Sequence, residues 1–469
     1  MASPRDQLQG YRFLSRRNAS ALLHADTDTA EGPLRRLSGS TTASVAVGVI
    51  GVVLALLIGL LRPASGTWQD GKSLIIASGS GSRYVYLSGV LHPVLNYVSA
   101  LLILREGAVA PVTVSAGALD HVQHGAPVGI LDAPDEVPAT ASLLTGPWVA
   151  CSVPGTDAAG APRPLVTVSV GQAAQGTALT SAAAVLVTAS GTDYLIWNGT
   201  RLRLTSYALT ALGYSSASPV PAGAGFVNAL PQGPDLAAPE PPAGSIGGQG
   251  PTVGGTQTVV GQVYQAGGAY YAVYPDGLAP VTALQAQLML ADPAIAQAYP
   301  GGQARALPLS LSAAQQAPPS ARHPAQESGL PAAPVALSGG QGSTTQLCAT
   351  VSSAAADAVT VTEQPASPQG ASGAEPADQL GNPLADSVHI PSGRGAVIQA
   401  VSGPGATAGT TYLVTDTGQK FPLASASVLS DLGLSGAHPV PVPQSVVALL
   451  PTGPTLDESA AAQVATTAN

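Results

Sequence analysis

Two periodicities divide this chain. From Ala43 to Leu61 it reads ASVAVGVIGVVLALLIGLL, which carries no charge and is apolar on every helical face. At about 1.5 Å per residue such a helix is about 28 Å long, enough to cross a hydrocarbon core of ~30 Å with little tilt. The pattern therefore predicts a transmembrane helix over residues 41–62, and Gly51, Ala55 and Gly59 recur along it at every fourth position as a small-residue packing seam. A buried core helix would rarely be apolar all round at this length. A cleaved signal peptide fits worse, because about forty residues precede the run and RPASG offers no good small-x-small cleavage site.

Beyond residue 62 the patterning becomes that of strands. Short apolar runs, LIIA from Leu74, AVLVTA from Ala184, QVYQ from Gln262 and VIQAV from Val397, each meet a Gly-rich turn. A strand bearing a tyrosine follows (Tyr84, Tyr194, Tyr271, Tyr412), then a tight turn such as Asn198-Gly199 or Asp276-Gly277, then a short apolar helix. The segment from Tyr194 to Leu236 and the segment from Tyr412 to Leu456 align without a gap from Gly213 and Gly433 onward. Pro219-Val220-Pro221 matches Pro439-Val440-Pro441, and Leu230-Pro231 matches Leu450-Pro451, so the chain carries an internal duplication. The copies at Tyr84 and Tyr271 are weaker.

Segments outside the repeats, PLVTVSV after Cys151, TQLCATVSS around Cys348 and AVTVTE, alternate like strands of one sheet made from two separated pieces. The expected class is α+β: one transmembrane helix, then an elongated extracytoplasmic region with a split β-sheet core and four β-β-α modules. The boundaries read as 1–40 for a cytoplasmic segment with an amphipathic helix, 63–138 for the first repeat, and 139–182 for the first core part. Residues 183–250 and 251–336 form the second and third repeats, 337–392 the second core part, 393–457 the fourth repeat, and 458–469 a flexible C-terminal tail.

Charge sets the orientation. The first 61 residues carry net +2, with Arg5, Arg12, Arg16, Arg17, Arg35 and Arg36 ahead of the span, whereas the remainder carries net −11. Basic residues stay on the cytoplasmic side, so the N-terminus is inside and the rest is outside. An acidic exterior with two lysines in the whole chain excludes nucleic acid as a partner. Cys151 and Cys348 both fall on the outer, oxidising side, where one disulfide suits them better than a zinc site with its four clustered ligands; two independent buried thiols are the rival. Such a bond would close a long loop and remove roughly 5 kcal/mol of unfolded-state entropy.

One motif carries chemistry. Gly66 to Ser73 spells G-x-x-x-x-G-K-S, in which Gly66, Gly71, Lys72 and Ser73 would hold a nucleotide, with ATP and magnesium as the cofactors of that alternative. A working loop follows a buried strand and opens a helix; this one follows a membrane segment and leads into SLIIASGSGSRYVYL, a strand and hairpin. No second acidic strand for magnesium and no catalytic set accompanies it, so no catalytic residue, metal ligand or cofactor is assigned. Asp120, His121 and His124 lack a further ligand for a metal.

The N-terminal QLQGYRFLSRR, the single anchor, YVYLSGVLHPVLNYVSALLIL, GILDAPDEVP, the two cysteines and VHIPSGRGAVI together resemble EccB, the single-pass subunit of actinobacterial type VII (ESX-type) secretion machines, over essentially the whole chain. The resemblance implies a plasma-membrane scaffold that acts beside EccC, EccD, EccE and the mycosin protease and pairs as a homodimer. It also implies lysin-like modules, which makes peptidoglycan an alternative ligand through Tyr84, Tyr194, Tyr271 and Tyr412. Some members of that family bear an ATPase label, which keeps the nucleotide alternative open.

Overall fold

The computed structural model describes residues 4–24, 43–54, 68–107, 109–242, 244–327, 329–338, 344–351, 359–370, 374–403, 406 and 408–465. It divides into two compact units, Met1–Thr67 and Trp68–Asn469. In the first, Pro4–His24 is one helix, with proline at its first position and Asp6 in the first turn, where the free N–H groups favour both. Residues 43–54 are a second helix with exposed apolar side chains, Val45, Val47, Ile50 and Leu54 among them. Residues 41–42 and 55–62 of the expected span, with Ala55 and Gly59 of its seam, lie outside the described residues. Among the described residues no helix is long and apolar enough to cross a membrane.

The second unit mixes helix and sheet. Four of its sheets share one strand order, in which the third strand pairs the second, the second pairs the first, and the fourth lies parallel on the other side of the first. In the first sheet these are Val90–Pro93, Arg83–Leu87, Leu74–Ser78 and Pro111–Ser115. The second sheet opens with Ala183–Ala189, Thr192–Trp197 and Thr200–Arg203; the third with Val263–Ala266, Ala269–Tyr274 and Gly277–Val281; the fourth with Ala396–Val401, Thr411–Val414 and Lys420–Pro422. The unit is thus larger than the expected β-β-α: three antiparallel strands, a crossover helix, and a parallel fourth strand that returns beside the first.

The hairpins arise from turn chemistry. Asn198 and Gly199 both adopt positive φ, as a two-residue turn matched to strand twist requires. At the second expected turn the two residues between the strands are Pro275 and Asp276, and Gly277 instead opens the next strand, directly beneath the carbonyl of Pro318. After a further short helix the chain lies parallel along the third strand, through Leu91 with His124, Arg201 with Gln232, Leu278 with Pro319, and Lys420 with Thr452. One residue past this contact, Gly125, Gly233 and Gly453 each press on the side chain below, His92, Leu202 and Phe421, where a Cβ would stand 2.3–2.4 Å from it.

A six-stranded sheet lies between these units. Its order is Ser387–His389, Leu165–Val170, Trp148–Val153, Thr345–Val351, Val359–Pro365 and Thr177–Ala178, so strands from before and after the second and third sheets interleave. Cys151 stands directly opposite Cys348, their Cα atoms are 4.0 Å apart, and a disulfide joins them. Arg163 and Asp386, paired at 2.8 Å and mostly buried, tie the same two pieces, and the second Asp386 oxygen accepts the Val166 N–H.

Hydrophobic clusters join the sheets to one another. The central sheet shares one core with the second and fourth sheets, through Trp148, Val166, Ile196, Phe226, Ile398 and Leu450. The third sheet packs on the second, and the first on the fourth. The segment from residue 458, expected to be a flexible tail, is ordered as far as residue 465: Glu458–Ala461 is a helix capped by Asp457, with Ala461 fully buried. It packs on the helix Tyr97–Leu104 of the first sheet. Small alanine side chains give a weak periodic signal in sequence but fit a close helix seam.

The disulfide closes a sequence separation of 197 residues. Replacing both Cys151 and Cys348 by alanine should lower stability by about 3–5 kcal/mol; thermal unfolding with and without reductant would show reductant sensitivity in the parent protein and none in the variant.

Candidate functional site

The G-x-x-x-x-G-K-S segment is the first place to look for chemistry. Gly66 lies outside the described residues. Trp68, two residues on, is buried against Ile75, Leu91 and Val114 with its ring edge-on to Tyr86 at 5.7 Å, so the entry to the first sheet is anchored by an aromatic plug. Gly71 has positive φ in the next turn. The N–H groups of Lys72 and Ser73 donate to one Asp70 carboxylate oxygen at 2.8 and 3.1 Å, and the Ser73 hydroxyl donates to the other at 3.1 Å. These bonds hold the Asp70 carboxyl below the usual carboxylate range, the Lys72 N–H contributing most.

The amides that a phosphate would use are therefore turned onto an internal carboxylate. Lys72 pairs with Glu106 at 2.9 Å, with both side chains well exposed, and Ser73 leads into the strand Leu74–Ser78. Among the described residues of the loop no helix N-terminus is present, and the bonds to Asp70 give the segment the geometry of an Asx turn.

The other candidates are dispersed. His124 bonds the Leu119 carbonyl through Nε2 at 3.1 Å and meets Tyr84 edge-on, while Asp120 and His121 are exposed. Among the described residues no group of three or more His, Cys, Asp or Glu side chains could hold a metal. Tyr84, Tyr194, Tyr271 and Tyr412 are half-buried; Tyr194 and Tyr412 pack on the central core, and Tyr84 and Tyr271 on local ones. Their rings act first as packing, which is what alternation on a second strand produces. Gly51 sits in the helix of residues 43–54 with open space around its Cα.

Sequence reasoning missed the groups that the fold uses most. Lys420 is buried, and its Nζ donates to the carbonyls of Val447 and Leu450 at 2.7 Å each, where the helix Gln444–Val447 ends. Arg201 holds the same register in the second sheet, since Ile196 faces Arg201 as Val414 faces Lys420. Its guanidinium donates to the Val227 carbonyl at 3.1 Å and to Asn228 at 2.6 Å. Both cations thus add a bond to carbonyls at a helix C-terminus, an end that attracts positive charge. Aligning TRLRL with GQKFPL gives the signal that could have found them.

Burial pulls the Lys420 pKa down to about 8, against an ordinary 10.5, with Asp378 opposing the shift. From pH 8 to 10.5 the unfolded chain holds a proton that the folded chain has released, so this residue's contribution to stability rises with pH through that window; below pH 8 both states are charged and its cost is greatest. The stability difference between the parent protein and Lys420→Met should therefore shift in favour of the parent as pH rises from 7.5 to 10, measured by thermal unfolding at matched ionic strength.

Comparison with known proteins extends over the whole chain. The family model described as "Type VII secretion system ESX-1, transport TM domain B" matches residues 2–468. The ESX-3 secretion system ATPase EccB3 of Mycobacterium tuberculosis (strain ATCC 25618 / H37Rv) is 29% identical over 506 residues, covering 97% of this chain and 88% of that protein. EccB3 of Mycolicibacterium smegmatis (strain ATCC 700084 / mc(2)155), likewise called an ATPase, is 31% identical across 96% of this chain and 89% of its own length. Among solved structures, a chain of an intact ESX-5 inner membrane complex superposes with a TM-score of 0.62 at 26% identity, covering 100% of this chain and 97% of that one. A chain of an EccB3 dimer from the ESX-3 core complex gives 0.61 at 26% identity, covering 83% and 100%.

Proposed function

The chain belongs to the EccB family of type VII secretion subunits, and from that membership we propose that it is a structural and assembly subunit of the secretion machine's inner-membrane complex. The match along its full length supports this reading: the family model covers residues 2–468, and a chain of an intact ESX inner membrane complex superposes over 100% of this chain. Residues 41–62 are the single transmembrane span in this proposal, with residues 1–40 cytoplasmic and the unit from Trp68 extracytoplasmic, which the arginine bias supports.

The outer unit is read as four duplicated modules around the split central sheet. Their shared strand order and the paired cations Arg201 and Lys420 support this. Its partners are other membrane subunits of the machine, EccC, EccD and EccE with the mycosin protease, and a second copy of the chain, in keeping with the dimeric EccB3 relative.

A scaffold, not a nucleotide hydrolase, is the reading that the Asp70 turn supports. A phosphate entering at Lys72 would have to displace a carboxylate already holding the same amides and would meet its negative charge at close range. The tyrosines needed for wall binding are engaged in packing, which leaves scaffolding favoured over a carbohydrate-binding module.

Lys72→Ala removes one exposed ion pair and should change stability by less than about 0.5 kcal/mol. Export by a strain carrying it should equal that of the parent, with unchanged recovery of the membrane complex. Loss of export from an intact complex, together with ATP turnover by the purified parent protein that the variant lacks, would sink the scaffold reading in favour of the ATPase alternative.

A further inference from the structure

Residues 457–465 cover the seam where the first and fourth modules meet. The helix Glu458–Ala461 packs on Tyr97–Leu104 of the first module, and Val464 then stands antiparallel to Val128. Ala465 N–H donates to the Pro127 carbonyl at 2.9 Å, and Gly129 N–H points to the Gln463 carbonyl at 3.4 Å. A helix of four residues has no stability of its own. Its place therefore depends on what its side chains meet.

Glu458 meets a second carboxyl group. The short helix Ser427–Asp431 of the fourth module also packs on Tyr97–Leu104, so three helices share this seam. Ser427 Oγ donates to Glu458 Oε1 at 2.7 Å. Asp431 lies four residues further on, hence on the same helix face, and is only 8% exposed. There its carboxyl is hydrogen-bonded to that of Glu458. Ionised carboxylates only accept, so this bond exists only while one proton lies between the two. The seam has no slack to part them, for a Cβ on Gly433 would stand 2.2 Å from the Gly107 carbonyl oxygen.

The neighbouring charges are few. Arg105, at the C-terminal end of Tyr97–Leu104, is the cation that acts on Asp431. Glu106 beside it is paired with Lys72, and Asp457 is occupied in capping its own helix. Burial first, and then the Glu458 carboxyl, push the Asp431 carboxyl above its ordinary 3.8, while the Arg105 guanidinium opposes them. Above pH 3.8 the closed seam thus keeps a proton that an opened seam gives up. The stabilisation it brings is fully present below that pH and is lost as pH rises through the raised value.

We propose that the seam between the first and fourth modules is an acid-set latch, in which a proton shared by Asp431 and Glu458 holds the helix Glu458–Ala461 and residues 463–465 on the first module. When the proton leaves, two negative charges face each other in a confined, poorly solvated place, with only Arg105 to offset them. The segment gives way because it is short and joined to the body at one end, which puts its opening at the low end of local stability. Opening uncovers the Pro127 carbonyl and the Gly129 N–H, so the edge at residues 127–129 is displayed in the alkaline state and covered in the acid one. The latch stands apart from the choice between scaffold and ATPase.

The test is hydrogen–deuterium exchange of the full-length chain in detergent at pH 4, 6 and 8. Labelling times are rescaled for the intrinsic pH dependence of amide exchange, and the strand Trp148–Val153 serves as internal reference. Protection of residues 458–465 relative to that strand is expected to fall at least about tenfold from pH 4 to pH 8, the effect of one unit of pKa displacement. Asp431→Asn offers Glu458 an N–H that needs no added proton, so its segment should stay protected at pH 8. Glu458→Gln should act the same way from the other side, and Arg105→Gln, which removes the opposing cation, should deepen the loss at pH 8. Protection that does not change with pH in the parent chain would overturn the proposal, as would a pH-dependent loss that persists in both amide variants, or a segment left unprotected in both at every pH.

Discussion

The pairing of Trp148–Val153 with Thr345–Val351 is the contact on which the outer unit depends. These strands are about two hundred residues apart in sequence, and two complete modules are threaded between them. Bringing such distant segments together costs loop-closure entropy before any packing is gained. The covalent bond between Cys151 and Cys348 removes much of that cost from the folded balance, and the buried Arg163–Asp386 pair fixes the same two pieces at a second point. The second and fourth modules share the apolar core of the central sheet, and the third and first modules pack on them respectively.

The assembly is one solution used twice. In each core-facing module a cation from the third strand caps the carbonyls at the end of the second helix, Arg201 in one and Lys420 in the other. A glycine then lets the closing segment cross that strand at contact distance. These devices are local, which is why they survive duplication. The copies diverge where neighbours differ: after Leu456 the chain turns back to clamp the first module, whereas after Leu236 it must travel on into the third.

The phosphate-loop spelling shows how context decides chemistry. The same residue types that would cradle a phosphate form a turn around Asp70, because Ser73 runs into a strand held by Ile75 and Leu74 in two hydrophobic cores and the buried Trp68 stands just ahead of Gly71. Backbone N–H groups bond whatever acceptor the fold holds nearest, and here that acceptor is built into the loop. Asp70, Lys72 and Glu106 are engaged in bonds within the chain itself.

Sequence by itself determined the features governed by short-range physics. The uncharged run at Ala43, the tyrosine strands, the Asn198-Gly199 hairpin and the repeated Pro-Val-Pro and Leu-Pro pairs all come from periodicity and turn preference within a few residues. Tertiary structure alone decided the rest: the parallel fourth strand of each module, the burial of Lys420, the ordering of Glu458–Ala461 against Tyr97–Leu104, and the meeting of Asp431 with Glu458. Each of these depends on contacts between segments tens to hundreds of residues apart. A four-residue alanine-rich helix or a charged strand residue has no local signal strong enough to announce the partner that makes it stable.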